Sequence, residues 1–226
     1  MNDTPEAAMI FAAGFGTRMG DLTRDTPKPM IPLAGRPMID HAVDLVRAAG
    51  INRIVANTHY LHDVIESHLR ELEVETVRES PDILETGGGL KSALGILGQG
   101  PVITLNPDAA WAGANPIRSL LNAWQKDMQA LLLLVPVESA ETTRLEGDFS
   151  LEQGRIRRGG GFIYTGAQIL RTHRLSEIRE NAFSLNRYWD LLAESGPIHG
   201  LVHEGRWCDI GHPEGLSKAE RMLADV

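Results

Sequence analysis

One cysteine in 226 residues leaves no internal disulfide and no cysteine metal cluster. Cys208 has no evident activating partner, so it is expected to pack rather than react, and a reducing compartment, the cytoplasm, is the expected location. Positive charge is also scarce: 22 Lys and Arg stand against 30 Asp and Glu, a formal net charge of −8. Without a basic surplus to displace counterions, nucleic acid is not an expected partner. No apolar run approaches the roughly 20 residues of a membrane span. Asn2, Asp3 and Glu6 stand where a secretory signal would be basic, so neither a membrane nor export is expected. No internal repeat or hexapeptide period announces an appended β-helix. What is present is ordinary for a globular chain: 42% hydrophobic and 23% charged residues suffice for a core and rule out wholesale disorder.

The first half alternates short apolar runs with helical periodicity, the pattern of repeated βα units around a largely parallel sheet. Ala7 to Ala12 breaks at Gly14 and reads as a buried strand. Met38, Ile39, Ala42, Leu45, Val46 and Ala49 keep a 3.6-residue period that Gly50 ends, so a helix begins after Pro37. Further strands are expected at Arg53 to Asn57, Glu73 to Arg78, Pro101 to Asn106 and Ala130 to Val137, with helices at Leu61 to Leu69, Leu185 to Glu194 and Pro213 to Ala224. The glycine and arginine cluster Gly154 to Gly161 is read as a separator. The expected fold class is α/β, with a mixed, mostly parallel central sheet flanked by helices. One domain is expected, with a first lobe over about residues 1–111 and a second over about 112–226.

Ala12-Ala13-Gly14-Phe15-Gly16-Thr17-Arg18 follows the first strand, where α/β proteins bind ligands at the sheet's carboxyl edge. Its spacing lacks the third glycine of G-x-G-x-x-G and the G-K-[ST] of the P-loop, so on spacing alone it is either a tight connection or a phosphate loop. Arg18 offers a planar fork for phosphate oxygens, and Thr26-Pro27-Lys28-Pro29 holds a lysine between two prolines. Lys28 alone is either a solvated loop lysine or a pre-placed positive charge. Glu85-Thr86-Gly87-Gly88-Gly89 is a second glycine cluster ahead of an apolar helical pattern. It is either a flexible turn or a close approach to a ligand. Asp108 follows the apolar run ending at Asn106, and Asp209 lies in Trp207-Cys208-Asp209-Ile210-Gly211. Each is a cap or turn residue by itself, whereas together they could share a Mg²⁺.

The glycine loop and the Thr-Pro-Lys-Pro segment, in this order, resemble the sugar-1-phosphate nucleotidyltransferases. The Glu85 to Gly89 form most resembles the N-acetylmuramate-1-phosphate uridylyltransferases of cell-wall recycling. The resemblance implies a Rossmann-like nucleotidyltransferase fold and the reaction of an NTP, UTP by preference, with a sugar 1-phosphate to give an NDP-sugar and pyrophosphate. It further implies that Ala12, Ala13, Gly14, Gly16, Thr17, Arg18, Asn57, Gly87, Gly88 and Asn106 bind the nucleotide. Arg18, Lys28 and Asp108 are the implied catalytic residues, Glu85, Tyr164, Thr165 and Gly166 line the acceptor sugar's site, and Asp108 with Asp209 holds Mg²⁺. Pro107 departs from the family's usual glycine before the first aspartate and removes a backbone N–H there. Two other readings stay open: guanylyl or cytidylyl transfer to another sugar or alcohol phosphate, and a catalytically idle nucleotide-sugar sensor.

Overall fold

A computed structural model describes residues 3–225. Strand β1 (Ala7–Phe11) ends at the glycine loop, whose residues 17–23 coil into a 3-10 turn, and a second such turn spans Lys28–Met30. A small hairpin of β2 (Pro32–Leu33) and β3 (Arg36–Pro37) leads into α1 (Met38–Ala48). Then come β4 (Arg53–Thr58), α2 (His62–Glu71), β5 (Glu75–Arg78), α3 (Glu85–Ser92), α4 (Leu94–Leu97) and β6 (Val102–Leu105). After them lie β7 (Ala109–Gly113), α5 (Pro116–Ala123), β8 (Ala130–Pro136), β9 (Gly147–Glu152), β10 (Arg155–Gly160) and β11 (Phe162–Leu170). The chain closes with α6 (Leu185–Ala193), β12 (His199–Val202), β13 (Gly205–Asp209) and α7 (Pro213–Ala224).

Nine strands form one sheet in the order β5-β4-β1-β6-β11-β8-β12-β10-β9. The sheet is mixed, as expected, but half rather than most of its neighbouring pairings are parallel, because the later strands return as antiparallel neighbours; the parallel character is concentrated in β5-β4-β1-β6. From β11 onward the pairings are antiparallel except for β12 against β8. Strand β1 is apolar without alternation because helices cover both its faces. Ala8 and Ile10 point to Ile39, Val43 and Val46 of α1, and Ala7 and Met9 point to Leu90 of α3 and Tyr188 and Leu192 of α6. Each large side chain so buried contributes about 1.5–3 kcal/mol.

Local chemistry explains the helix starts. Asn115 caps α5 by accepting from the N–H groups of Ile117 and Arg118 at 2.9 and 3.0 Å, with Pro116 in the first turn where its missing donor costs nothing. Two expectations need correction. The cluster Gly154 to Gly161 is not a separator: Arg155–Gly160 is strand β10, paired with β9, a tertiary outcome that glycine-rich composition conceals. Glu85 to Gly89 is not a loop before a helix, because α3 begins at Glu85 and the glycines lie within it.

The feature that builds the site is a separate two-stranded ribbon, β7 against β13, in which Ala109 lies opposite Asp209. The N–H of Ile210 donates to the carbonyl of Asp108 at 2.9 Å, so residues a hundred positions apart become neighbours. A third apolar cluster lies beneath the ribbon, with Met19, Ile31 and Met38 against Ala110, Cys208 and Met222. Cys208 is fully buried, and desolvation pushes its thiol up to about 12, so it packs, as expected, and does not react.

Candidate active site

A cavity of about 280 Å³ opens at the carboxyl ends of β1, β4 and β6. Its first wall is the glycine loop, with Ala12, Ala13, Gly14, Gly16, Thr17 and Arg18 all facing it. Gly16 is required twice over: its φ is +66°, and a Cβ there would lie 2.8 Å from Lys28 Cβ and 2.9 Å from Thr23 Cγ2. A Cβ on Gly14 would meet nothing within 4 Å, which leaves its backbone open to a ligand.

Lys28 is 9% exposed and is aimed into the cavity by the short turn between Pro27 and Met30. Its Nζ donates to Asp108 Oδ2 at 2.5 Å. Asp209, delivered by the ribbon, lies across from that pair. Burial and, next to it, the charge of Asp108 push its carboxyl above the ordinary value, while Lys28, Arg18 and His212 pull the other way. A Cβ on Gly211 would lie 3.1 Å from Arg18 Nη1 and 3.2 Å from Asp209 Oδ1, so arginine, glycine and aspartate converge on one point of the rim. Asp108 and Asp209 repel each other, and among the described residues Asp209 takes only a 3.5 Å hydroxyl contact from Thr142, so their oxygens are the donors here that could hold a divalent cation.

The opposite wall is Ile83, Glu85 and Thr86, with Asn57 and Asn106 on the floor and Pro107 beside them. Asn57 is 3% exposed, and its Oδ1 accepts from the N–H of Ala12 at 2.9 Å. Asn106 N–H donates to the carbonyl of Gly166 at 3.0 Å.

Several expected site residues do not line this cavity. Gly87 and Gly88 do not face the cavity. Their N–H groups donate to the carbonyl of Phe183 at 2.8 and 3.1 Å, and added Cβ atoms would fall 2.4 Å from the Phe183 ring and 2.0 Å from the Asn181 carbonyl. These glycines exist for helix packing, because only a bare backbone fits there. Tyr164 and Thr165 do not line the cavity either. The Tyr164 ring meets Trp189 edge-on at 5.1 Å with burial raising its hydroxyl, and Thr165 Oγ1 donates to the Leu133 carbonyl at 2.8 Å. Gly166 acts from behind: at φ +86° it leaves room for the Asn106 side chain, which a Cβ would approach to 2.8 Å.

Ile83, Pro29 and Gly211 line the cavity and carried no signal strong enough to be singled out. Outside the cavity lining, Arg144 pairs with Asp148 through both terminal nitrogens and lies in the field of Asp209, whereas Arg158 is held by Asn186 and Asp190.

A family model described as the MobA-like NTP transferase domain matches residues 8–145. The N-acetylmuramate alpha-1-phosphate uridylyltransferase of Caulobacter vibrioides is 36% identical over 100% of this chain and 100% of its own. The enzyme of the same name from Neisseria meningitidis serogroup B is 29% identical, covering 95% of this chain and 97% of its own. In fold, the UTP-bound UGPase from Acinetobacter baumannii superposes with a TM-score of 0.80 at 18% identity, over 97% of this chain and 93% of that one. A match across more than half the residues, joined to full-length likeness at 36% identity, makes this protein a nucleotidyltransferase of the MobA-like NTP transferase family.

Proposed function

We propose that the chain transfers a uridylyl group from UTP to N-acetylmuramate 1-phosphate, releasing pyrophosphate, as a cytoplasmic step of cell-wall recycling. The observation that carries this reading is the convergence of Arg18, Lys28 and Asp108 on a glycine-walled cavity, with Asp209 beside Arg18 behind Gly211, taken with the full-length likeness to a uridylyltransferase.

The acceptor is a phosphate monoester with a second pKa of about 6, already largely dianionic near neutral pH, so its oxygen attacks the α-phosphorus with no general base. As that P–O bond forms, the bond to the β-phosphate bridge breaks and pyrophosphate leaves. Negative charge spreads over the transferring group, and the fixed cations Lys28 and Arg18 face it. Lys28 is held before the reaction by its proline-bounded turn and by Asp108, which limits the ordering cost of binding. Asp108 and Asp209 would hold Mg²⁺, which supplies charge neutralisation and a template for phosphate oxygens. Ile83 and Thr86 are assigned to the base and ribose side of the cavity, and so is Glu85, which the resemblance sets on the acceptor sugar. On the acceptor side the anionic group is assigned to Arg144, whose guanidinium keeps donors free beyond its pair with Asp148.

A matrix of the four NTPs against N-acetylmuramate 1-phosphate, N-acetylglucosamine 1-phosphate and mannose 1-phosphate, read by pyrophosphate release, tests the reading. The highest kcat/KM is expected for UTP with N-acetylmuramate 1-phosphate. A preference for GTP or for another acceptor overturns the substrate assignment, and no turnover with any pair overturns the activity.

A further inference from the structure

Glu79 lies just beyond β5 and is 2% exposed. A buried carboxylate is costly unless donors satisfy it, and here both oxygens are taken by neutral N–H groups. Oε1 accepts from Asn57 Nδ2 at 2.7 Å, and Oε2 accepts from the backbone N–H of Leu84 at 2.6 Å. Asn57 spends its remaining oxygen on the N–H of Ala12, the first residue of the glycine loop. Leu84 directly precedes Glu85 and Thr86, the opposite wall. One side chain therefore reaches both walls, through one amide on one side and directly on the other.

The backbone of Glu79 adds a second tie. Its carbonyl accepts from His59 Nδ1 at 2.9 Å, and the His59 ring stands edge-on to Phe15, with centroids 5.4 Å apart, in the glycine loop. The cluster is also closed from the helix side, since a Cβ on Gly89 would lie 2.7 Å from both Asn57 Nδ2 and Glu79 Oε1. A fitted gap of this kind is what a fixed spacing requires.

We infer that Glu79 is a positioning residue that sets the distance between the two walls of the nucleotide cavity. This rests on the reading of that cavity as the NTP site. Asn57 also explains how a carboxylate can do this beside an anionic ligand: the surface presented to the triphosphate is an uncharged amide, and the negative charge stands one side chain behind it. Both walls would touch the nucleotide in the ground state and the transition state alike. Loosening them therefore raises KM for the nucleotide and leaves kcat and the acceptor's KM nearly unchanged.

Glu79→Gln sets an N–H₂ group against one of the two donors that the carboxylate now satisfies. The variant is expected to raise KM for UTP about ten-fold, the effect of one mismatched buried hydrogen bond, with kcat and acceptor KM within about three-fold of the parent and a smaller preference for UTP over CTP. Val46→Ala, in the α1 core away from both walls, supplies the comparison for general destabilisation and is expected to leave KM for UTP unchanged. If Glu79→Gln does not fold, Glu79→Asp, which keeps the charge but cannot span both donors, is read in the same way. A UTP KM within about two-fold of the parent in the folded variant, or an equal rise in Val46→Ala, overturns the inference alone, being smaller than one lost hydrogen bond predicts. A parent protein that releases pyrophosphate from no NTP overturns the nucleotide reading and this inference with it.

Discussion

Replacing Lys28 with methionine keeps most of the side chain's length and apolar bulk and removes its charge. In the parent protein the ammonium lies 2.5 Å from Asp108 Oδ2, with the two side chains 11% and 29% exposed. At this separation opposite charges interact by about 7 kcal/mol at an effective dielectric of 20, an upper figure that solvent screening of the partly exposed Asp108 and the cost of desolvation cut to a small net gain. Two consequences of opposite direction follow. Asp108 loses its competitor for a cation, so the nucleotide-free variant should bind Mn²⁺ more tightly, about ten-fold for a net 1.4 kcal/mol. Turnover should nevertheless fall by about 10²–10³, because a fixed charge facing the transferring phosphoryl group is worth ~3–4 kcal/mol in the transition state. Calorimetric Mn²⁺ titration without nucleotide and pyrophosphate release at saturating substrate measure the two separately, with thermal melting to show that the variant is folded. Weaker Mn²⁺ binding, or kcat within about ten-fold of the parent, refutes the reasoning, since neither is compatible with a lysine that competes for Asp108 and serves the reaction.

Asp209→Asn should lower kcat by about 10²–10³ and abolish Mn²⁺ binding without nucleotide, while EDTA should stop the parent's turnover and barely move its melting temperature, because the core stands without metal. Tight Mn²⁺ binding by Asp209→Asn would remove that carboxylate from the site. Gly14→Ala places a Cβ in open space and Gly88→Ala places one 2.0 Å from a backbone oxygen, so the first should raise KM for UTP at near-parental stability and the second should cost several kcal/mol of stability. Urea denaturation and steady-state kinetics on both variants check this, and an unaltered KM in Gly14→Ala would argue against loop contact with the nucleotide. Burial holds the His203 imidazole below its ordinary value of 6.5, with the ring edge-on to Trp111 at 5.1 Å. The unfolded state therefore binds the proton first, so stability is complete above pH 6.5 and declines as pH falls below it. His203→Leu should flatten that decline in urea titrations between pH 7.5 and 5.5, and an identical slope would show that other groups cause it.

The parts of the site legible from the chain are those whose chemistry is local. Gly16 needs a positive φ, and Lys28 is fixed by the prolines beside it, so neighbouring residues advertise both. The start of helix α3 was not legible, because its glycines are poor helix formers placed there for the approach of Phe183 and Asn181, which are distant in sequence. The exposed run Arg155–Gly160 becomes a strand because β9 and β12 pair with it. Tyr164 follows glycines in a segment resembling a sugar site, yet its position is decided by Trp189 on α6. Glu79 had no signal at all: a single acid after a short strand looks like a surface residue until the strand order brings Asn57 and Leu84 to it.

The ribbon that sets Asp209 opposite Ala109 has a consequence for the life of the chain on the ribosome. The glycine loop, Lys28 and Asp108 are all synthesised in the first half, and β1, β4, β5 and β6 can pair as soon as they emerge. The second carboxylate arrives with the last fifth of the protein, on a strand with no place in the main sheet. A nascent chain can therefore shape much of the cavity while lacking Asp209, and that side of the site is complete only when β13 docks and α7 closes the cluster beneath it.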